Sequence, residues 1–163
     1  MKTLCEYLGE RDYAQFLKFT QSSRVHNIDP DDEANFYINA PKRWAEALIC
    51  AVAPSVRAEK AIIRYQNRQV LELTNRLWRI YPQNIRWTFS EGIENDAEKV
   101  ISVLKEKPDQ DAEALLVKRG NLELFKIFLD KFGSLEEDTE KLLHEDAGLT
   151  CLLSFYVNRE LSC

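Results

Sequence analysis

The sequence predicts an all-α fold, a superhelical stack (α-solenoid) of about six helical hairpins, and three observations lead to it. A segment of about 27 residues is repeated, since Glu-Ala-Leu-Leu at 113–116 returns as Glu-Lys-Leu-Leu at 140–143. Prolines recur at nearly the same spacing, at positions 54, 82 and 108. Apolar residues follow the three-and-four spacing of a helix with one buried face, as in Leu122, Phe125, Phe128, Leu129 and Phe132. One hairpin cannot bury such a face alone, so a repeat of this length indicates stacked units.

The repeat predicts six pairs of helices within one helical-repeat domain, residues 1–163. The pairs at 1–53 are divergent and those at 55–163 are clearer, because Glu59 aligns with Glu113 two periods later. The predicted pairs, in chain order, are 2–9 and 11–20, 30–38 and 41–53, 55–66 and 68–80, 82–90 and 94–106, 109–119 and 121–132, and 135–147 and 149–160.

Residues that start and stop helices agree with these boundaries. Asp29 followed by Pro30 is a typical helix start, and the prolines at 54, 82 and 108 are expected in a first turn, where proline costs no hydrogen bond. Ser134 and Glu137 have the spacing of a capping box. The glycines at 120, 133 and 148 are expected just past helix ends, in the left-handed conformation.

The repeat also predicts the core. Phe125, Phe128, Leu152 and Phe155 should be buried between the fifth and sixth pairs. The three tryptophans, at 44, 78 and 87, are expected in the core, with partial exposure as the alternative for Trp87. Cys50 and Cys151 have apolar neighbours typical of small core residues.

The bulk composition excludes several classes of protein. The net charge of −5 argues against general nucleic-acid binding. The beginning of the chain lacks the pattern of a signal peptide, and the longest apolar stretch, 47–53, is far too short to cross a membrane. The four cysteines have no metal-binding spacing, so we expect a cytoplasmic protein with reduced thiols.

The segment 113–125, Glu-Ala-Leu-Leu-Val-Lys-Arg-Gly-Asn-Leu-Glu-Leu-Phe, resembles the repeat of bacterial α-helical proteins of HEAT-like or leucine-rich-repeat-variant type. Those repeats follow the pattern Glu-x-x-Leu-x-x-Arg-Gly-Asn-x-Glu-Leu. The match is good over 111–132 and partial over 138–160 and 58–80. The resemblance implies stacked helices with a binding surface and implies no catalytic residue. Some variant-repeat proteins carry an iron–sulfur cluster near the N-terminus, but this chain has only Cys5 there.

A basic stripe in the middle of the chain is the strongest candidate for a binding site. Residues 57–86 contain seven basic residues and two acids, whereas residues 91–146 contain sixteen acids and eight basic residues. Interleaved arginines and aromatic residues suit phosphates, carboxylates and stacked bases. The alternative is an ordinary solvated face whose arginines pair with nearby acids. The candidate binding residues are Lys42, Arg43, Arg68 and Arg76 on second helices of the pairs, and Arg57, Lys60 and Arg64 on a first helix.

We therefore expect a non-enzymatic scaffold that binds another macromolecule, above all a protein with an acidic surface, through the face of its second helices. The alternative is binding of nucleic acid or a phosphate ligand by the basic stripe. No nucleophile, base and orienting group can be assembled, so no catalytic residue is predicted. His26 lies near the acids at 29–33, but those acids are better explained as the start of a helix, and no metal or cofactor is expected.

Overall fold

A computed structural model describes residues 2–161, and this part of the chain is built from α-helices with no strand. The chain forms two compact units, which meet in sequence between Asn84 and Ile85. The helices are α1 (Leu4–Glu10), α2 (Tyr13–Thr20), α3 (Pro30–Asn39), α4 (Lys42–Ala51), α5 (Val56–Tyr65), α6 (Arg68–Trp78), α7 (Pro82–Glu91), α8 (Glu94–Val103), α9 (Gln110–Arg119), α10 (Leu122–Phe132), α11 (Glu137–Glu145) and α12 (Thr150–Leu161). Short 3₁₀ turns lie at Ser23–Asn27 and Ala147–Leu149. The all-α prediction is confirmed, and all twelve predicted helices are present among these residues.

Within each unit, helices contact the equivalent helices of neighbouring pairs. In the first unit, α3 packs against α1 and α5, while α4 packs against α2 and α6. In the second unit, α10 packs against α8 and α12, and α9 packs against α11. First helices therefore contact first helices, and second helices contact second helices, within each unit.

Each unit has its own apolar core. In the first unit, Phe16 stacks on Phe36 and on the buried Trp44, with ring centroids 5.3 and 4.8 Å apart. In the second unit, the fully buried Phe128 contacts Phe89 edge-on. The buried residues recur at three-and-four spacing, which is why the amphipathic pattern located these helices correctly.

The predicted core of the last two pairs is confirmed for three residues and wrong for one. Phe125, Phe128 and Leu152 are buried, whereas Phe155 is only half-buried. Phe155 lies at the edge of the apolar stripe of α12, where the Lys126 ammonium lies 5.3 Å from the centre of its ring.

Two cysteines expected in the core lie elsewhere. Cys50 and Cys151 are exposed. Cys50 lies one position after the buried Ile49, and Cys151 lies one position before the buried Leu152, so neither belongs to the buried face of its helix.

Trp44 is buried as predicted, whereas Trp78 is 43% exposed. Trp87 is half-buried, which agrees with the alternative of partial exposure.

Helix starts differ from the prediction in detail. Pro30 and Pro82 begin α3 and α7, and Asp29 caps α3 by accepting the backbone N–H of Asp32. Pro54 and Pro108 instead stand one residue before the N-caps, which are Ser55 and Asp109.

The predicted capping box at Ser134 is wrong. Helix α11 begins at Glu137, after Glu136. The backbone N–H of Glu136 donates to the carboxylate of Glu113 at 2.8 Å, which delays the start of the helix.

Two of the three predicted glycine positions are confirmed. Gly120 and Gly133 end α9 and α10 with φ of 73° and 85°. Gly148 lies inside the second 3₁₀ turn, where its N–H donates to the Asp146 side chain at 2.9 Å. No helix formed by residues 2–161 has the length and apolar character needed to cross a bilayer.

Candidate functional site

The three predicted basic residues on a first helix lie along α5. Arg57 forms an exposed ion pair with Asp31 of α3. Lys60 is half-buried, and Arg64 is exposed in the last turn. Arg57 and Arg64 are separated by about 10 Å along the helix axis, at 1.5 Å per residue.

The predicted basic residues on second helices lie on α4 and α6, some at the helix starts and one near the end of α6. These helices contact each other and run parallel, because the Trp78 indole at the end of α6 donates to the Ile49 carbonyl near the end of α4. Lys42 and Arg43 begin α4 and Arg68 begins α6, so these three exposed residues lie toward the same end. Arg76 lies about 12 Å further along α6.

Nearby acids partly neutralise these basic residues. Lys42 pairs with Glu46 at 3.7 Å, and Arg68 pairs with Glu72 at 3.8 Å, each within its own helix. In the second unit, Arg86 lies within 4 Å of Asp109 and Asp111. Exposed pairs of this kind stabilise a fold little and reduce the local positive potential.

Four consecutive exposed residues, 76–79, form the end of α6, and we call this segment the α6 end. Leu77 and Trp78 are 44% and 43% exposed, and Arg76 and Arg79 are exposed on either side of them. Arg79 takes a left-handed φ of 62° and donates its N–H to the Asn75 carbonyl. Neither of these two arginines forms an ion pair among residues 2–161. The α6 end therefore presents apolar surface and two uncompensated positive charges together.

The orientation of Trp78 is set by a hydrogen bond. Its indole N–H donates to the Ile49 carbonyl at 2.7 Å, in the last turn of α4, where helix carbonyls lack intrahelical donors. The exposed ring is therefore held in place on the surface. The sequence predicted a core position for Trp78, and the hydrogen bond to α4 that keeps the ring at the surface has no signal in the sequence of α6.

A set of buried glutamates was also missed. Each occupies the fourth position of a first helix: Glu33 in α3, Glu59 in α5 and Glu113 in α9. Each accepts the backbone N–H of the residue that precedes the next first helix, at 3.3, 3.0 and 2.8 Å respectively. The recurrence of Glu at 59, 113 and 140 was visible in the sequence and is the signal that could have revealed this role.

The surroundings of these carboxyl groups differ. Burial raises the pKa of Glu59 to about 7, although hydrogen bonds from Asn84 and Tyr81 oppose the shift. Burial also raises the pKa of Glu33. Glu113 instead has the Lys107 ammonium 2.9 Å away. These positions join one pair to the next, and their hydrogen bonds indicate a structural role.

His26 and the acids at 29–33 do not form a metal site. Over residues 2–161, no three His, Cys, Asp or Glu side chains are grouped as metal ligands would be. His26 is exposed in the first 3₁₀ turn, and Asp29 is engaged as a helix cap.

Comparisons of the chain with protein-family models, with curated proteins and with solved structures found no match.

Proposed function

We propose that this protein is a helical-repeat scaffold, a stack of about six hairpins, which binds an acidic protein partner through the face of its second helices. The contacts between equivalent helices within each unit support the stacked arrangement, as does the resemblance to HEAT-like and variant repeats. In such stacks each pair contacts mainly its neighbours, which leaves an extended surface for binding.

The α6 end is the observation that carries the proposal. Tryptophan and arginine are the residues most enriched among the energetic hot spots of protein interfaces. Trp78 is exposed but held by its bond to Ile49, so little side-chain freedom would be lost when a partner binds. Burying the exposed parts of Leu77 and Trp78 would supply apolar binding energy.

Charge indicates the kind of partner. Arg76 and Arg79 have no carboxylate partner among residues 2–161, so acidic side chains on a partner could pair with both. Several other basic residues already have acidic neighbours, among them Arg57, Arg68 and Arg86. A continuous track for a phosphate backbone would need most of these charges to be available. The observations therefore favour an acidic protein over nucleic acid.

The proposal places the protein in the cytoplasm and assigns it no catalytic residue, cofactor or metal. Cys5, Cys50 and Cys151 are free and exposed, which suits a reducing compartment.

The test measures binding to defined probes by fluorescence anisotropy. The probes are labelled acidic peptides that carry one Leu, Phe or Trp among Asp and Glu, the same peptides with Lys replacing the acids, and a labelled single-stranded oligonucleotide. We expect the acidic peptides to bind and the basic ones not to bind. Arg76→Glu should reduce the affinity at least tenfold, as the loss of a charge-assisted contact does.

Two matched variants locate the surface. Arg68→Glu lies on the same helix face about 12 Å from Arg76, and we expect it to lose less affinity than Arg76→Glu. Arg64→Glu lies on a first helix, and we expect it to bind nearly normally. The double variant Arg68→Glu/Arg76→Glu should keep a helical circular dichroism spectrum, because exposed charges contribute little to folding. Equal losses in all three single variants, or preferential binding of the oligonucleotide with a steep salt dependence, would contradict the proposal.

A further inference from the structure

A cavity of about 610 Å³ lies within the first unit, where the end of α1 meets the end of α3 and the start of α4. Its volume is in the range typical of sites for small molecules. The wall combines apolar, polar and basic side chains and contains no acid: Cys5, Leu8, Gly9, Arg11, Asn39, Pro41, Arg43 and Trp44.

The backbone of Arg11 and the guanidinium of Arg43 are each fixed by neighbouring groups. Arg11 ends α1 with a left-handed φ of 55°, uncommon for a residue with a side chain, and its N–H donates to the carbonyls of Tyr7 and Leu8. The Arg43 guanidinium lies 4.1 Å from the centre of the Tyr13 ring, a cation–π contact.

Neither Arg11 nor Arg43 forms an ion pair among residues 2–161. The nearby carboxylate of Asp32 accepts the backbone N–H groups of Leu4 and Cys5. Burial raises the pKa of the Cys5 thiol to about 11, so this group is neutral at physiological pH and adds no negative charge.

The remaining wall suits an apolar group. Trp44 is only 5% exposed and is anchored in the core by its stacking on Phe16. Leu8 and Pro41 complete the apolar surface, and a side chain added at Gly9 would meet no atom within 4 Å, so the space beside this residue is open.

We propose that this cavity binds a small organic anion, whose carboxylate or phosphate is held by Arg11 and Arg43 and whose apolar body lies against Leu8 and Trp44. Planar guanidinium groups bind both oxyanions through paired hydrogen bonds. This site is independent of the α6 end, and either proposal can fail while the other stands.

The test is an NMR titration of the folded full chain with benzoate and phenyl phosphate. Benzyl alcohol, benzylamine and inorganic phosphate serve as controls for charge and for the apolar body. We expect saturable shifts of the Trp44 indole N–H and of the amides of Gly9 and Arg11 with the two organic anions. The relative affinities of benzoate and phenyl phosphate distinguish a carboxylate site from a phosphate site.

Three variants link the binding to the cavity. Arg11→Asn removes the guanidinium and keeps a residue that tolerates the left-handed conformation, so this variant should fold. Arg11→Asn and Arg43→Gln should each weaken binding of the preferred anion about tenfold. The control Arg64→Gln removes an exposed arginine of α5 outside the cavity and should bind normally.

Four results would overturn the inference. They are the absence of saturable shifts with either anion, equal binding of benzyl alcohol, equal binding of inorganic phosphate, and equal weakening in the Arg64→Gln control. Melting curves and amide spectra of each variant establish that any loss occurs in a folded protein.

Discussion

The Glu59 carboxylate accepts the backbone N–H of Tyr81, the residue immediately before α7, at 3.0 Å. The same oxygen accepts a hydrogen bond from the Asn84 side chain at 2.8 Å. Equivalent bonds join Glu33 to Ser55 and Glu113 to Glu136, each spanning 22 or 23 residues. The sequence repeat therefore corresponds to a repeated hydrogen bond between one helical pair and the start of the next.

Glu59 predicts a pH dependence of stability. Its native pKa of about 7 lies above the ordinary value of 4.5, so between these values the native state binds more protons than the unfolded state. Its contribution to stability is therefore present below about pH 4.5 and is lost as the pH rises to 7. The full loss of unfolding free energy is roughly 3–4 kcal/mol, from about 1.4 kcal/mol for each unit of the pKa difference.

The measurement compares urea unfolding of the wild type and Glu59→Gln at several pH values. Subtracting one protein from the other cancels the remaining titrating groups, including Glu33, whose raised pKa acts in the same direction. We expect the unfolding free energy of Glu59→Gln to rise relative to that of the wild type between pH 5 and 8. A difference that is constant over this range would show that Glu59 titrates normally.

Gln66 provides a second test of the contacts between pairs. This buried side chain, just past the end of α5, donates to the carbonyls of Tyr37 and Ala40 at 2.6 and 3.0 Å. Gln66→Ala leaves both carbonyls without this donor and should cost about 1–3 kcal/mol of unfolding free energy. The exposed Gln69 is the matched control, and Gln69→Ala should change stability by less than about 0.5 kcal/mol. Similar effects of the two substitutions would show that the hydrogen bonds from Gln66 to the end of α3 do not stabilise the fold.

Phe128 and Phe155 occupy equivalent positions of the repeat but differ in burial. Phe128→Ala should cost about 3–5 kcal/mol, because it leaves a cavity in a close-packed core. Phe155→Ala should cost less than half as much, since the ring is partly solvated and lies beside Lys126. Chemical denaturation of both variants gives the comparison, and native-like stability of Phe128→Ala would show that this face of α10 is assigned wrongly.

The thiols should react at different rates in the native protein. Cys50 and Cys151 are exposed and should be alkylated readily by iodoacetamide at pH 8. Cys5 should react more slowly, because its raised pKa leaves little thiolate, the reactive form. Peptide mapping by mass spectrometry measures each cysteine separately. If Cys5 reacts as fast as Cys50, its thiol is not affected by burial or by Asp32.

Much of the local structure could be predicted from the sequence alone. The existence and order of the helices follow from the spacing of apolar residues and from residues that act locally, such as Asp29 and Gly120. A helix-capping bond or a left-handed turn involves residues only a few positions apart, so the chain itself specifies it.

Other features were decided by tertiary structure, because they depend on which segments meet. Trp78 looks like a core residue in its own helix, yet a carbonyl of α4 holds it at the surface. Ser134 has the local pattern of a cap, but the bond from Glu136 to Glu113 starts the helix later. The cavity between Arg11 and Arg43 is formed by residues that lie far apart in the sequence. The repeat in the sequence can locate the helices. The burial of a side chain, the pKa of a carboxyl group and the shape of a site depend on contacts between segments, which the repeat does not specify.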